Sequence, residues 1–398
     1  MIISILLSTD KTQLTLFRNK NAYPIYMTIG NIPKEIHCKP SSCAYVLLGY
    51  LPTTQLETVN NQAKKRCLLS NMYHACMTHV TEPLKSAGEG GVNMSTATGH
   101  VHRNHPIFGG FIGDYPEQVL NTCMLTGDCP NCGCTHQFLG DFNPDGPRPL
   151  RNLDAVLAAI DSFKDDPTNF LRNCSQIRLK PVAHPFWQHL PYVNIYRSIT
   201  PDVLHQLYQG ILKHLIAWII EVCSAAEIDA RCRRLPQNHN IRLFMKGISS
   251  LSHVTGQEHD QICRFLLGLV FDIRLPNGHS NARLLRSVRA LLDFLYLAQY
   301  PIHTTTTLKL LDDALARFHA NKDIFVDLGI CDSFNIPKLH FASHYVELIK
   351  MFGTTDNFNT QYMERLHIDL AKDAYAATNR KDEFGQMTMW LEQKEKVL

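Results

Sequence analysis

The stretch FGGFIGDYPEQVLNTCMLTGDCPNCGC, residues 108–134, carries the strongest structural signals of this chain. Its first six residues are apolar or glycine, which is typical of a buried strand that would end at Asp114. Pro116 and Glu117 then favour a helix start, because proline fits the first turn and an acid there is stabilised by the helix dipole. An acid at the carboxyl end of a central strand is where α/β sheets place their chemistry. The alternative is that Asp114 only caps the helix.

Cysteines at metal-ligand spacing follow in the same stretch. Cys129 and Cys132 form a CxxC pair, the closest such spacing in the chain. Cys123, Cys134 and His136 flank them, and four of these five residues would be enough for a zinc knuckle. Because no second CxxC follows at finger spacing, two interpretations stay open. The thiols bind a structural zinc ion, or they are reduced, buried thiols that only fix a loop.

Composition limits the class of protein. A chain of 398 residues with 45% hydrophobic and 19% charged residues is typical of a globular protein with two structural units. No apolar run is long enough to span a bilayer. The opening MIISILLSTD lacks a basic leader and a cleavage site, so it predicts a strand and not a signal peptide. Thirteen cysteines without framework spacing indicate a reduced, intracellular protein. The net charge of +3 is only weak evidence for a polyanionic partner, because the basic residues occur in patches and not in one tract.

The first 120 residues predict the order strand, strand, strand, helix, strand, helix. The predicted segments are strands at 2–9, 13–17 and 23–29 with a hairpin turn at 19–21, an apolar run at 44–50, a helix at 56–85 and a glycine-rich turn at 88–99. Two major strands of this order end in an acid, Asp10 and Asp114.

This order predicts an α/β protein with a ribonuclease H-like core, a mixed sheet flanked by helices. In that fold neighbouring central strands bring two carboxylates together, and a late helix supplies a third. Three clustered acids repel one another unless cations neutralise them, so the arrangement predicts bound Mg²⁺ or Mn²⁺. Two such ions about 4 Å apart activate a water or a 3′-hydroxyl and stabilise the leaving oxygen.

From residue 151 the chain is predicted to be helical almost to its end. The predicted helices are 153–174 with a break at Pro167, 200–223, 240–250, 257–270, 280–299, 304–321 and 337–352. In the second of these, Thr200 caps the helix and Pro201 opens it. Asp202 and His205 lie three residues apart on this helix and are candidate functional residues. The alternative is that His205 is an ordinary surface or core histidine.

The last informative stretch is 356–384, which has the apolar stripe of a helix at Met363, Leu366 and Leu370. Glu364 lies elsewhere on this helix. On spacing alone it is an ordinary exposed acid.

Long motifs over nearly the whole chain resemble the Plavaka transposases, fungal members of the Kyakuja-Dileera-Zisupton group of DNA transposons, which is similar to the CACTA group. The motifs are ISILLSTDKTQLTLFRNKNAYPIYMTIGNIPKEI, FIGDYPEQ with CPNC behind it, ITPDVLHQLYQGILKHLIAW, KGISSLSHVTGQEHDQICR, LLDFLYLAQYP, FNIPKLHFASHY and TDNFNTQYMERLHIDLAKDAYAATNRKDE. The resemblance implies a cut-and-paste DDE transposase whose ribonuclease H-like core is interrupted by a helical insertion before the last catalytic helix. The implied domains are 1–150 for the first part of the core with its CxxC loop, 151–352 for the insertion and 353–398 for the completing helices.

The resemblance also assigns site residues. The catalytic acids that bind Mg²⁺ fall on Asp10 in STDKTQ, Asp114 in GDYPEQ and Glu364 in YMERLHIDL. The family's CxxC falls on Cys129 and Cys132, and its Asp/His helix motif falls on Asp202 and His205.

The implied partners are DNA, as transposon ends and target, and further copies of the same chain, in the nucleus. Neither a membrane nor a small-molecule substrate is expected. Since Asp10 lies near the start and relatives continue past the end of this chain, we expect a fragment or a relic.

The alternative function is a catalytically inactive, transposase-derived module that binds DNA or protein. A zinc-dependent hydrolase around the CxxC pair and His205 is disfavoured, because the chain has no HExxH helix.

Overall fold

The computed structural model describes residues 1–15, 20–37 and 39–397. They form two compact units. The first is a mixed α/β unit made of Met1–Gly133, Pro149–Thr200 and Asn357–Leu398, and the second is a mainly helical unit made of Cys134–Arg148 and Pro201–Asp356.

A curled, mixed sheet of five strands organises the α/β unit, in the order β5-β4-β1-β7-β6. Its central strand β1 runs antiparallel to β4 and parallel to β7. A separate pair, β2 and β3, is antiparallel. The strands are β1 Ile2–Thr9, β2 Thr12–Gln13, β3 Asn21–Ala22, β4 Pro24–Ile29, β5 Val46–Tyr50, β6 Val92–Ser95 and β7 Val101–Ile112.

The predicted strands at 2–9 and 23–29 are confirmed as β1 and β4, and the apolar run at 44–50 contains β5. The predicted strand at 13–17 begins with β2, while its residues 16 and 17 and residue 19 of the predicted hairpin turn lie outside the described residues. The glycine-rich turn predicted at 88–99 is wrong in part. The preceding helix continues to Gly90, and β6 follows.

A β-bulge at Gly109 sets the register of the two central parallel strands. Ile5 pairs with Phe108 and Leu6 pairs with Gly110, so Gly109 is an extra residue on β7. A Cβ at Gly109 would lie 2.0 Å from the Ser4 Oγ and 3.2 Å from the Ser4 Cβ, so the close approach of β1 requires glycine there. Beyond the bulge the strands stay in step to their carboxyl ends.

The helices are, in chain order, α1 Lys34–His37, α2 Gln62–Thr81, α3 Pro83–Gly90, α4 Tyr115–Asn121, α5 Leu153–Asp161, α6 Pro167–Gln176, α7 Lys213–Cys223, α8 Ala225–Arg233, α9 Gly256–Val270, α10 Asn281–Ala298, α11 Thr305–Asn321, α12 Ile324–Asp327, α13 Pro337–Phe341, α14 Tyr345–Phe352, α15 Gln361–His367, α16 Asp373–Ala376 and α17 Glu383–Val397. The predicted break at Pro167 is confirmed between α5 and α6. The single helix predicted at 56–85 is divided at Pro83 into α2 and α3, since a proline inside a helix removes a backbone donor.

Three predictions for the helical unit need correction. The helix predicted at 200–223 is capped by Asp202 and not by Thr200, and its first part, Val203–Leu212, is π-helical before α7 begins. The segment 240–250 is not helical. The Asp229 carboxylate accepts the backbone N–H of Ile248, and Gly247 has a φ of +85°, so the chain turns there. The predicted helix at 337–352 is divided into α13, a short 3₁₀ turn and α14.

Each unit has its own apolar core. Tyr26 and Phe111 are fully buried in the sheet of the first unit. In the second unit the Trp218 ring lies 5.1 Å from the Phe325 ring and 5.4 Å from the Phe334 ring. None of the helices in the described part of the chain has the length and apolar character needed to cross a membrane.

Candidate functional site

Asp10 and Asp114 lie at the same edge of the sheet. Ser8 of β1 pairs with Ile112 of β7 in the parallel ladder, and each acid follows two residues later. The Asp10 side chain is 30% exposed, and Asp114 is partly buried. The two predicted acids therefore stand at the carboxyl ends of adjacent parallel strands, where a sheet of this kind places its chemistry.

Asp114 also caps helix α4. Its Oδ1 accepts the backbone N–H of Glu117 at 3.1 Å, and Pro116 lies in the first turn. The predicted helix start is confirmed. Capping needs an acceptor oxygen and not the negative charge that metal binding would use, so capping and chemistry are compatible roles for this side chain.

A fourth acid, Glu117, lies beside this pair. The sequence predicts it only as a helix-start residue. It is buried, and its carboxylate accepts hydrogen bonds from the Thr9 hydroxyl and, at 2.7 and 2.8 Å, from the Tyr23 hydroxyl. Burial raises the pKa of Glu117 to about 8, and the charges of Asp114 and Asp10 add to this. The only sequence signal for a role of Glu117 at this site is its position three residues after Asp114. The burial of Glu117 depends on the tertiary fold.

The third predicted acid, Glu364, is an exposed residue of α15. One turn later His367 is buried, and its Nε2 lies 3.5 Å from the Asp10 Oδ2. The His367 Nδ1 lies 3.1 Å from the Tyr26 hydroxyl. Burial raises the pKa of Tyr26 above its usual range, and the charges of Asp10 and Glu364 contribute to this. His367 therefore lies near both the end of β1 and Tyr26 of β4, and the charge of Glu364, on the same helix, acts on the same tyrosine as the charge of Asp10.

The predicted CxxC pair is buried, with Cys129 and Cys132 both 0% exposed. The Cys-x₂-Cys spacing is that of structural zinc sites. The pair could therefore provide two ligands to a metal ion such as Zn²⁺.

The chemistry of the cysteines fits such an ion. Burial, and then the neighbouring Cys132 thiol, raise the pKa of Cys129 well above its usual range. A bound cation reverses this preference, because a thiolate is the ligand form of cysteine.

Two of the flanking candidates, Cys123 and Cys134, are also buried. The Cys123 Sγ lies 3.3 Å from the His74 Nε2. In the helical unit, His340 and His344 form a buried i, i+4 histidine pair whose rings lie 5.5 Å apart. The sequence signal for this pair is HFASH.

The predicted Asp202–His205 motif forms the start of the π-helical segment. The Asp202 carboxylate accepts the backbone N–H groups of Leu204 and His205, and its Oδ2 lies 2.8 Å from the His205 Nδ1. The Tyr345 hydroxyl donates to the Asp202 carbonyl oxygen at 3.0 Å. Asp202 is 1% exposed, so this motif is a buried, hydrogen-bonded helix cap.

Comparison with known proteins adds the family. The model of the Plavaka transposase family matches residues 1–219, more than half of the 398-residue chain. The match includes Asp10, Asp114, the CxxC pair and the Asp202–His205 motif. No curated protein matches the chain. The chain belongs to the Plavaka transposase family.

Proposed function

We propose that this chain is a DDE-type transposase that cuts and joins DNA ends by two-metal phosphoryl transfer. The family is one of transposases, which supports the class of reaction. The observation that carries the catalytic part is the level placement of Asp10 and Asp114 at the ends of β1 and β7. Glu364 is the proposed third acid, on the helix whose His367 Nε2 lies 3.5 Å from the Asp10 Oδ2.

The topology supports a ribonuclease H-like core for the α/β unit. Adjacent parallel strands end in the two acids, and residues 357–397 belong to the same unit as the sheet. The helical unit is inserted in the sequence before these residues. We propose that residues 1–150 begin the core, that 151–352 are mainly the insertion and that 353–398 complete the core.

The donor set fits a hard divalent cation, because carboxylate oxygens are the ligands that Mg²⁺ and Mn²⁺ prefer. Such ions would activate the attacking water or 3′-hydroxyl and stabilise the leaving oxygen. The N-cap to the Glu117 N–H fixes the Asp114 carboxylate before DNA binds, which is part of the preorganisation that such chemistry requires. The His367 Nε2 lies 3.5 Å from the Asp10 Oδ2.

We further propose that Cys129 and Cys132 bind a structural Zn²⁺ ion. Their burial and their Cys-x₂-Cys spacing support this assignment. Purified protein should contain one zinc per chain by elemental analysis, and chelation should lower its melting temperature. Cys132→Ser should lose both properties. Cys43→Ser, which changes an exposed thiol, is the matched control and should keep them.

DNA is the partner that a transposase family implies, and we propose that this chain acts on DNA in the nucleus as a homo-oligomer. Binding through phosphates should weaken steeply as salt concentration rises, because released counterions drive it.

The test of catalysis is a nicking assay with Mg²⁺ on DNA that carries the flanking sequence of the element. Asp10→Asn and Glu364→Gln should each abolish nicking while DNA binding is retained. Glu392→Gln, which alters an exposed acid of α17 in the same unit, should nick like the wild type. Equal activity of the wild type and both site variants would refute the assignment.

The second candidate is a catalytically inactive, transposase-derived module that binds DNA or protein. The exposed position of Glu364 is the observation that keeps this candidate, since a metal ligand is commonly more enclosed. Salt-dependent DNA binding without divalent-metal nicking would select it.

A further inference from the structure

A large cavity of about 1080 Å³ lies within the α/β unit, beside the proposed catalytic acids. Its walls come from α2, from residues 51–54 and 178–182, and from the start of α4. Lys11 and Tyr115 both line it, and each directly follows a proposed catalytic acid in the sequence. A ligand in this cavity would therefore extend to the edge where Asp10 and Asp114 stand.

The charged groups that line the cavity are all cations. They are Lys11, Arg66, Arg178 and Lys180, and the described lining contains no aspartate or glutamate. Arg178 forms a two-pronged ion pair with the buried Asp128. In the part of the chain that the structure describes, no carboxylate forms an ion pair with any of the other three. Three cations thus face the cavity without internal compensation.

The rest of the wall is apolar and aromatic. Leu69 and Met72 line it from α2, and the aromatic residues Tyr23, Tyr73 and Tyr115 line it as well. A ligand that suits this wall has both an anionic part for the cations and a flat, apolar part for the rings. A nucleotide has these two parts, and base stacking on aromatic side chains beside a cationic groove is the common way to hold a single strand.

We propose that the cavity binds an unpaired nucleotide of the DNA strand next to the cleaved bond. The base lies against the apolar wall formed by α2, and Lys11, Arg66 and Lys180 contact the adjoining phosphates. This inference rests on the proposed function and adds to it, because it assigns a single-strand subsite that the metal-binding acids do not provide. An uncharged apolar ligand is disfavoured, since it would leave the three cations unmatched.

The experiment compares two duplexes without divalent metal, one blunt and one with a single-stranded tail that carries 2-aminopurine. The wild type should prefer the tailed duplex by about tenfold, the effect of one stacked base, and should change the fluorescence of the probe. Leu69→Trp fills the cavity and should abolish both effects. Leu68→Trp is the matched control, because Leu68 is the neighbouring residue of the same helix and is 41% exposed. This control should behave like the wild type.

A second pair of variants tests the charge, and it does not depend on whether Leu69→Trp folds. Arg66→Ala should reduce the salt dependence of tailed-duplex binding by about one phosphate contact, while Lys64→Ala, at an exposed site outside the cavity lining, should leave it unchanged. Equal wild-type affinity for the two duplexes would overturn the inference, as would a well-folded Leu69→Trp protein that keeps the preference. Nicking is measured in parallel. Tail preference without nicking would refute the catalytic proposal alone, and nicking without tail preference would refute the cavity alone.

Discussion

Replacing Asp114 separates its role in folding from its role in chemistry, because the two roles use different properties of the side chain. The cap needs an acceptor oxygen, which Oδ1 supplies to the Glu117 N–H at 3.1 Å. Asparagine caps as well as aspartate, whereas alanine loses about 1 kcal/mol of stability. Metal binding needs the negative charge, which both variants lose. We therefore expect Asp114→Asn to keep wild-type stability and Asp114→Ala to lose about 1 kcal/mol.

Nicking, unlike stability, should be lost in both variants. A metal ligand contributes several kcal/mol of transition-state stabilisation, which corresponds to about a thousandfold in rate. Both variants should thus lose Mg²⁺-dependent nicking to that extent or more, and both should still bind DNA. Urea unfolding gives the stability difference, and a time course of nicked product gives the rate.

Two results would refute this reasoning. Nicking by Asp114→Asn at the wild-type rate would show that the charge is not used, and Asp114 would then be only a cap. A loss of stability in Asp114→Asn equal to that in Asp114→Ala would show that activity and folding cannot be separated at this residue.

Two further predictions concern stability. Burial lowers the pKa of His74 from 6.5 to about 4, so between these pH values the unfolded chain binds a proton that the folded chain does not. The free energy of unfolding should therefore fall by on the order of 3 kcal/mol as the pH drops from 6.5 to about 4. Urea unfolding should show a shallower fall in His74→Gln, and equal slopes in the two proteins would contradict this assignment. Gly247→Ala should lower the free energy of unfolding by roughly 2 kcal/mol or more, since φ is +85° and the new Cβ would lie 2.0 Å from the Asp229 carboxyl group. Gly268→Ala, in helix α9 with open space around it, is the control and should be neutral or stabilising. Thermal melts of both variants test this prediction.

Local patterns were sufficient where a single segment decides its own conformation. The apolar run before Asp10 and the run before Asp114 predicted β1 and the end of β7, and Pro116 predicted the start of α4. The helix predicted at 240–250 failed because a carboxylate at Asp229 binds the turn from outside the segment. No window of residues around the turn contains that information.

Candidate metal ligands were predictable only where their spacing is distinctive. Cys129 and Cys132, with two residues between them, were evident from the sequence. The spacing of His340 and His344 is compatible with a metal site, but it is equally compatible with one face of an ordinary helix. Burial of Glu117 beside the proposed catalytic pair likewise depends on Thr9, at the end of β1, and on Tyr23, directly before β4.

The extra residue at Gly109 has a consequence for how this chain tolerates change. Because β7 has one residue more than β1 over the same distance, Asp10 and Asp114 lie at matching positions of the two strands only while this extra residue is present. Between Phe108 and Asp114, deleting one residue would bring Asp114 forward by one pleat and turn its side chain toward the opposite face of the sheet. Substitutions in this short segment should therefore be survivable far more often than any change in its length.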